Sequence, residues 1–208
     1  MSKEGVFMIV VGVTGGIASG KSLISDWFTK AHLSVIDADV VYKNLIKSNQ
    51  NLYKDIVEAF DLPTNQTSTI DFKSLGKIVF RDKEKLKKLN AITHPYVINK
   101  VELMLEEYRD NEKDIVILDV PLLYEAKMES YCDYVVCVYT DRETQIDRLM
   151  KRGHLDRQTA IKRIDSQMSL EDKKTKSDFV IDNSWSKDHS YQQFVQVLAK
   201  IKSYAKES

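Results

Sequence analysis

The residues Gly15-Gly16-Ile17-Ala18-Ser19-Gly20-Lys21-Ser22 fit the pattern G-x-x-x-x-G-K-[ST], the spacing of a loop that cradles phosphates. The chain has seven glycines, and four of them fall between Gly12 and Ile24. Glycines let the backbone turn and aim successive N–H groups inward, while the helix that follows adds about half a positive charge at its first turn. In such a loop Lys21 reaches the β and γ phosphates, Ser22 ligates Mg²⁺, and the N–H groups from Gly16 to Leu23 wrap the phosphate oxygens. The ligand this predicts is a polyphosphate. Thr14, just ahead of the loop, reads as a turn cap.

Carboxylates stand where such a loop needs them. "VIDAD" puts Asp37 and Asp39 at the end of a second apolar run, the edge of an open α/β sheet where ligands bind. One of the two can cap the helix that follows. We assign the cap to Asp37 and the chemistry to Asp39, whose task in a loose phosphoryl transfer is to orient a hydroxyl. Asp119, closing "IVILD", has two readings: a Mg²⁺ ligand, or a strand-end turn contact with Pro121. The guanine-reading pattern N/T-K-x-D is missing from its proper place. Asn99-Lys100-Val101-Glu102 ends in Glu within a helical pattern, and Thr175-Lys176-Ser177-Asp178 precedes a strand instead of following one. Phosphoryl transfer to a small molecule suits the chain better than a GTP switch.

Five apolar runs must position these groups: 7–13, 33–37, 114–123, 133–139 and 178–182. They are β-branched or aromatic and continuous rather than alternating, as strands buried on both faces of a parallel sheet are. Helical patterns separate them, which predicts an α/β fold with helices on both faces of a five-stranded parallel sheet. Two connections exceed simple crossovers. Residues 41–109 read as a helical insertion with turn chemistry at "DLPTNQTST" and a break at "THP", and 148–176 as a charged helical flap, a lid rather than core. The nucleotide-binding core is then 1–40, 110–147 and 177–208.

The whole chain is consistent with this. Its 208 residues carry 31 Lys and Arg against 31 Asp and Glu, so a broad attraction to nucleic acid or anionic membrane is not expected. Cys132 and Cys137 lack the spacing of a zinc site or a stapled scaffold and read as buried thiols. No run approaches a membrane span, and we expect a cytoplasmic protein, with monomer and weak homo-oligomer both open. In the last helix Tyr191, Phe194, Leu198 and Ile201 read as core.

From end to end the chain resembles the dephospho-CoA kinase family. "GVTGGIASGKS", "VIDADVVYK", "LNAITHP", "ILDVPLLYE", "DRLMKRGHLDRQTAIKRIDSQM" and "SDFVIDNS" are similar to that family's motifs in order and spacing. The resemblance implies a P-loop kinase fold with a helical coenzyme-binding insertion and a lid. It also implies transfer of the ATP γ-phosphate, with Mg²⁺, to the 3′-hydroxyl of dephospho-CoA. By position it implies Gly15 to Leu23, Arg148 and Arg152 for ATP, and Asp39, Lys21, Arg148 and Arg152 for catalysis. Asp37, Asp39, Lys43, Lys77 and His94 are implied for the acceptor, Ser22 and Asp119 for the metal, and Arg163 for holding the lid helices together. Another small-molecule or nucleoside-monophosphate kinase of this fold is the alternative. Lys43 replaces the usual Arg or His, Leu23 a common Thr or Ser, and Trp185 a usual Gly beside Asn183. Ala18 replaces a frequent glycine, which requires a negative φ there.

Overall fold

The computed structural model describes residues 8–62, 75, 76, 79 and 82–207. The chain divides into two compact units, Met1–Ile36 with Glu107–Ser208, and Asp37–Glu106.

The first unit is built on a five-stranded parallel sheet in the order β2-β3-β1-β4-β5. The strands are β1 (Ile9–Gly15), β2 (Ser34–Asp37), β3 (Ile115–Asp119), β4 (Tyr134–Tyr139) and β5 (Phe179–Asp182). Every residue of β1 and β3 is buried, which is why these runs are apolar without alternation. Register pairs Val13 with Asp119 and Gly15 with Val138, so the glycine loop leaves the sheet beside the ends of β3 and β4. The third run is a strand only as far as Asp119, and Pro121–Lys127 turn away from the sheet.

Helix α1 (Lys21–Lys30) and the closing helix α8 (Lys187–Glu207) cover one face. Ile24, Trp27 and Phe28 of α1 pack with Phe194, Val197 and Ile201 of α8 against Ile9, Val11 and Val13. Leu198 joins this core partly buried, whereas Tyr191, read as core, is 50% exposed and meets it only through its ring, edge-on to Trp27 at 5.1 Å. Between β4 and β5 lie α5 (Arg142–Gly153), α6 (Arg157–Ile164) and α7 (Leu170–Lys176). Asp141, Asp156 and Ser169 cap them, each accepting the N–H three residues on. Cys137 is buried and Cys132 half-buried, both free, and burial first of all pushes each thiol up to about 12.

The second unit is helical where described. Its elements are α2 (Ala38–Ser48), α3 (Gln50–Phe60) and most of α4 (Lys83–Asp110), around a core of Ile46, Leu52, Tyr53, Ile56, Leu75, Val79 and Leu89. The break expected at "THP" does not occur: α4 runs through Pro95 for 28 residues. A proline inside a helix costs about 3 kcal/mol, but Leu89, Thr93, Val97, Val101 and Leu105 recur every fourth residue and are all buried, and that stripe outweighs the local breaker. "DLPTNQTST" lies outside the described residues from Pro63 onward.

Candidate functional site

The loop after β1 coils back on itself, Ser19 N–H donating to Gly16 O at 3.1 Å. Gly20 then opens α1 as its N-cap at φ +93. A Cβ at Gly20 would lie 2.0 Å from the Asn183 amide nitrogen, so conformation and space both demand glycine there. Ala18 overturns the expectation of a negative φ: it stands at +61, because the loop must reverse within a few residues. Its methyl and the Ile17 side chain pack against Ile146, Leu149, Ala160 and Ile164, which offsets part of the strain. Among the described residues, none accepts a hydrogen bond from the N–H of Ala18, Gly20, Lys21 or Ser22. Four donors at the positive end of α1 make a cradle for an anion.

Charge is concentrated beside that cradle. The Lys21 ammonium pairs with the Asp119 carboxylate, side chains 13% and 3% exposed. Ser22 is exposed in the first turn of α1. Among the described residues no group of three or more His, Cys, Asp and Glu could hold a metal by itself. Mg²⁺ needs no such cage, since it takes one or two protein oxygens and completes its shell with phosphate and water. Asp119 is paired in register with Val13, two residues before the loop, so its hard oxygens and the Ser22 hydroxyl fit that ion. The Pro121 carbonyl is bonded by other groups: Thr14 Oγ1 donates to it at 3.1 Å and Lys173 Nζ at 2.8 Å.

Lys173 is fully buried, with Glu125 as its counter-ion at 3.0 Å. It makes α7 part of the core rather than part of a flap, contrary to the reading of 148–176 as a lid throughout. Its only sequence signal is Leu170 three residues earlier, one helical turn along the same face.

Asn183 was also missed as a support of the loop. It is 6% exposed, donates to Ser19 O at 2.8 Å and accepts from Ser190 Oγ at 2.9 Å. Arg148 donates to the Asn183 carbonyl at 2.8 Å, which puts its guanidinium beside the glycine loop. Arg152 and Arg163 are exposed. Among the described residues, the ion pairs that tie α5 to α6 and to its C-terminal end are Arg157–Glu143 at 2.6 Å and Arg142–Asp165 at 2.8 Å, not the Arg163 contact expected.

In the second unit Asp37 caps α2, its carboxylate accepting from Val40 N–H at 3.0 Å. Asp39 and Lys43 are exposed one turn apart on the same helix, the spacing that puts two side chains on one face. His94 is half-buried in α4, and burial lowers its pKa below the ordinary histidine value. Lys77 lies outside the described residues.

A parallel sheet whose first strand feeds a glycine loop, a Lys-Ser pair and a helix, with an aspartate closing the neighbouring strand, defines a P-loop kinase. The family model for dephospho-CoA kinase matches residues 9–188. A dephospho-CoA kinase of Oceanobacillus iheyensis is 40% identical over 193 residues, covering 92% of this chain and 97% of its own. One of Arabidopsis thaliana is 38% identical over 200 residues, covering 94% and 84%. The solved dephospho-CoA kinase of Campylobacter jejuni superposes with a TM-score of 0.71 at 30% identity, covering 92% and 96%. The chain belongs to the dephospho-CoA kinase family.

Proposed function

We propose that the protein binds ATP on the glycine loop and transfers its γ-phosphate to the 3′-hydroxyl of dephospho-CoA, yielding coenzyme A and ADP. The observation that carries this reading is the cradle itself: four unengaged N–H groups, the Lys21 ammonium and the Asp119 carboxylate converge at the first turn of α1. Membership of the family supplies the acceptor.

Phosphoryl transfer asks for positioning and charge neutralisation more than for covalent chemistry. Lys21 and the loop N–H groups bind the β and γ phosphates. Arg148 and Arg152 offset the charge that spreads over the transferred group. Asp39 orients the acceptor hydroxyl and takes its proton, while Asp37, together with Lys43, Lys77 and His94 of residues 41–109, binds the coenzyme. Ser22 and Asp119 would hold Mg²⁺, which would supply further neutralisation of the phosphate charge. Residues 148–176 supply the arginines. The reaction runs in the cytoplasm, on a monomer or weak homo-oligomer, and among the described residues no helix is long and apolar enough to cross a membrane.

The test is ADP release from ATP and Mg²⁺ with dephospho-CoA, beside AMP, adenosine and 4′-phosphopantetheine as acceptors. Turnover with dephospho-CoA alone is expected. Faster turnover with another acceptor would reassign the substrate.

A further inference from the structure

Two glutamines hold the glycine loop at its first turn. Gln167 Oε1 accepts from the Ile17 N–H at 2.9 Å, and Gln145 Nε2 donates to the Ile17 carbonyl at 2.7 Å. They come from different elements. Gln145 is in the first turn of α5 and 4% exposed. Gln167 lies in the link between α6 and α7, its own N–H bonded to Ile164 O at 3.2 Å.

The residue they act on is Ala18. At φ +61 its Cβ is crowded against the backbone, a conformation that glycine adopts without penalty and alanine does not. The Ile17 carbonyl belongs to the peptide joining Ile17 to Ala18, and rotation of that peptide would let Ala18 relax. The Gln145 bond opposes that rotation. On the far side the loop is already pinned, because Asn183 holds the Ser19 carbonyl at 2.8 Å. The Ile17–Ala18 peptide is thus the free hinge, and a buried carboxamide closes it.

We propose that Gln145 and Gln167 are positioning residues for nucleotide binding: together they keep Ala18 left-handed, so that the Ala18 N–H group stays turned into the cradle. Gln167 makes that geometry depend on the link between α6 and α7. The inference rests on the proposed ATP site but not on the identity of the acceptor.

The test is ATP affinity by titration calorimetry, on the full chain with Mg²⁺ and no acceptor present. Gln145→Ala and Gln167→Met should each weaken ATP binding about fivefold or more, as the competent loop becomes a minor population. Ala18→Gly alone is measured as the reference. Added to Gln145→Ala it should restore most of the loss, about fivefold, because glycine holds the left-handed turn without the bond. General damage to packing would lower the melting temperature and would not be repaired by a glycine. The proposal is overturned if both glutamine variants bind ATP within twofold of wild type, or if Ala18→Gly gives the same fold-change in both backgrounds. Should Gln145→Ala not fold, the same pair of measurements on Gln167→Met decides it.

Discussion

Lys21 sets its ammonium against Asp119, which is only 2% exposed, so this lysine carries stability as well as its proposed phosphate contact. Removing one partner of a buried ion pair costs about 3 kcal/mol or more. Lys21→Met should therefore lower the melting temperature by roughly 6 to 12 °C and abolish turnover. Adding Asp119→Asn should recover most of the stability and none of the activity, as thermal melting and ADP release would read in parallel. If Asp39 orients the acceptor hydroxyl, Asp39→Asn should cut turnover by ~10² to 10⁴ with ATP affinity within twofold. Wild-type turnover in that variant would move the role elsewhere, most simply to Asp37. At His94 the pKa is depressed by burial, so the unfolded chain takes up the proton first as pH falls. The stability His94 contributes is full above about pH 6.5 and is lost as pH falls through the folded-state pKa. Urea midpoints measured from pH 7.5 to 5 should decline in the wild type and decline less in His94→Gln.

Among the elements, α7 shows how a charged stretch becomes core. The run "EDKKTK" reads as a solvated surface, yet Lys173 is buried because the Pro121 carbonyl and Glu125 both meet its ammonium. Lys173→Ala should cost about 2 kcal/mol, since Glu125 is partly exposed and regains water, and should raise amide exchange in α7 and in 121–127. No loss of urea midpoint would show that α7 docks through Leu170 alone. The strands were legible because burial on both faces leaves an unmistakable apolar run, as in β1 and β4. The phosphate loop was legible because Lys21, Ser22 and the glycines are each required by type. What escaped depends on contacts far apart in sequence: Asn183 on Ser19, 164 residues away, and Gln167 on Ile17, 150 away. No local pattern encodes such pairs. Pro95 misled for the opposite reason, a strong local signal overruled by the buried stripe of α4. Ala18 escaped because the cost of its positive φ is met by neighbours, Ile146 and Leu149 among them.

At the scale of the whole molecule the chain has two units, one carrying the phosphate loop and Asp119, the other Asp37, Asp39, Lys43 and His94. In the proposed reaction the first holds the donor and the second the acceptor, a division that suits a kinase, since each substrate can be selected separately. The measurement that tests this most directly is transfer of labelled phosphate from γ-³²P ATP to dephospho-CoA, with the product located by mass and by phosphorus NMR. The account predicts one added phosphate on the ribose 3′ oxygen, formed about 10²-fold or more slowly when Asp39→Asn replaces the wild type. Label appearing on another hydroxyl, or released only as inorganic phosphate, would contradict it.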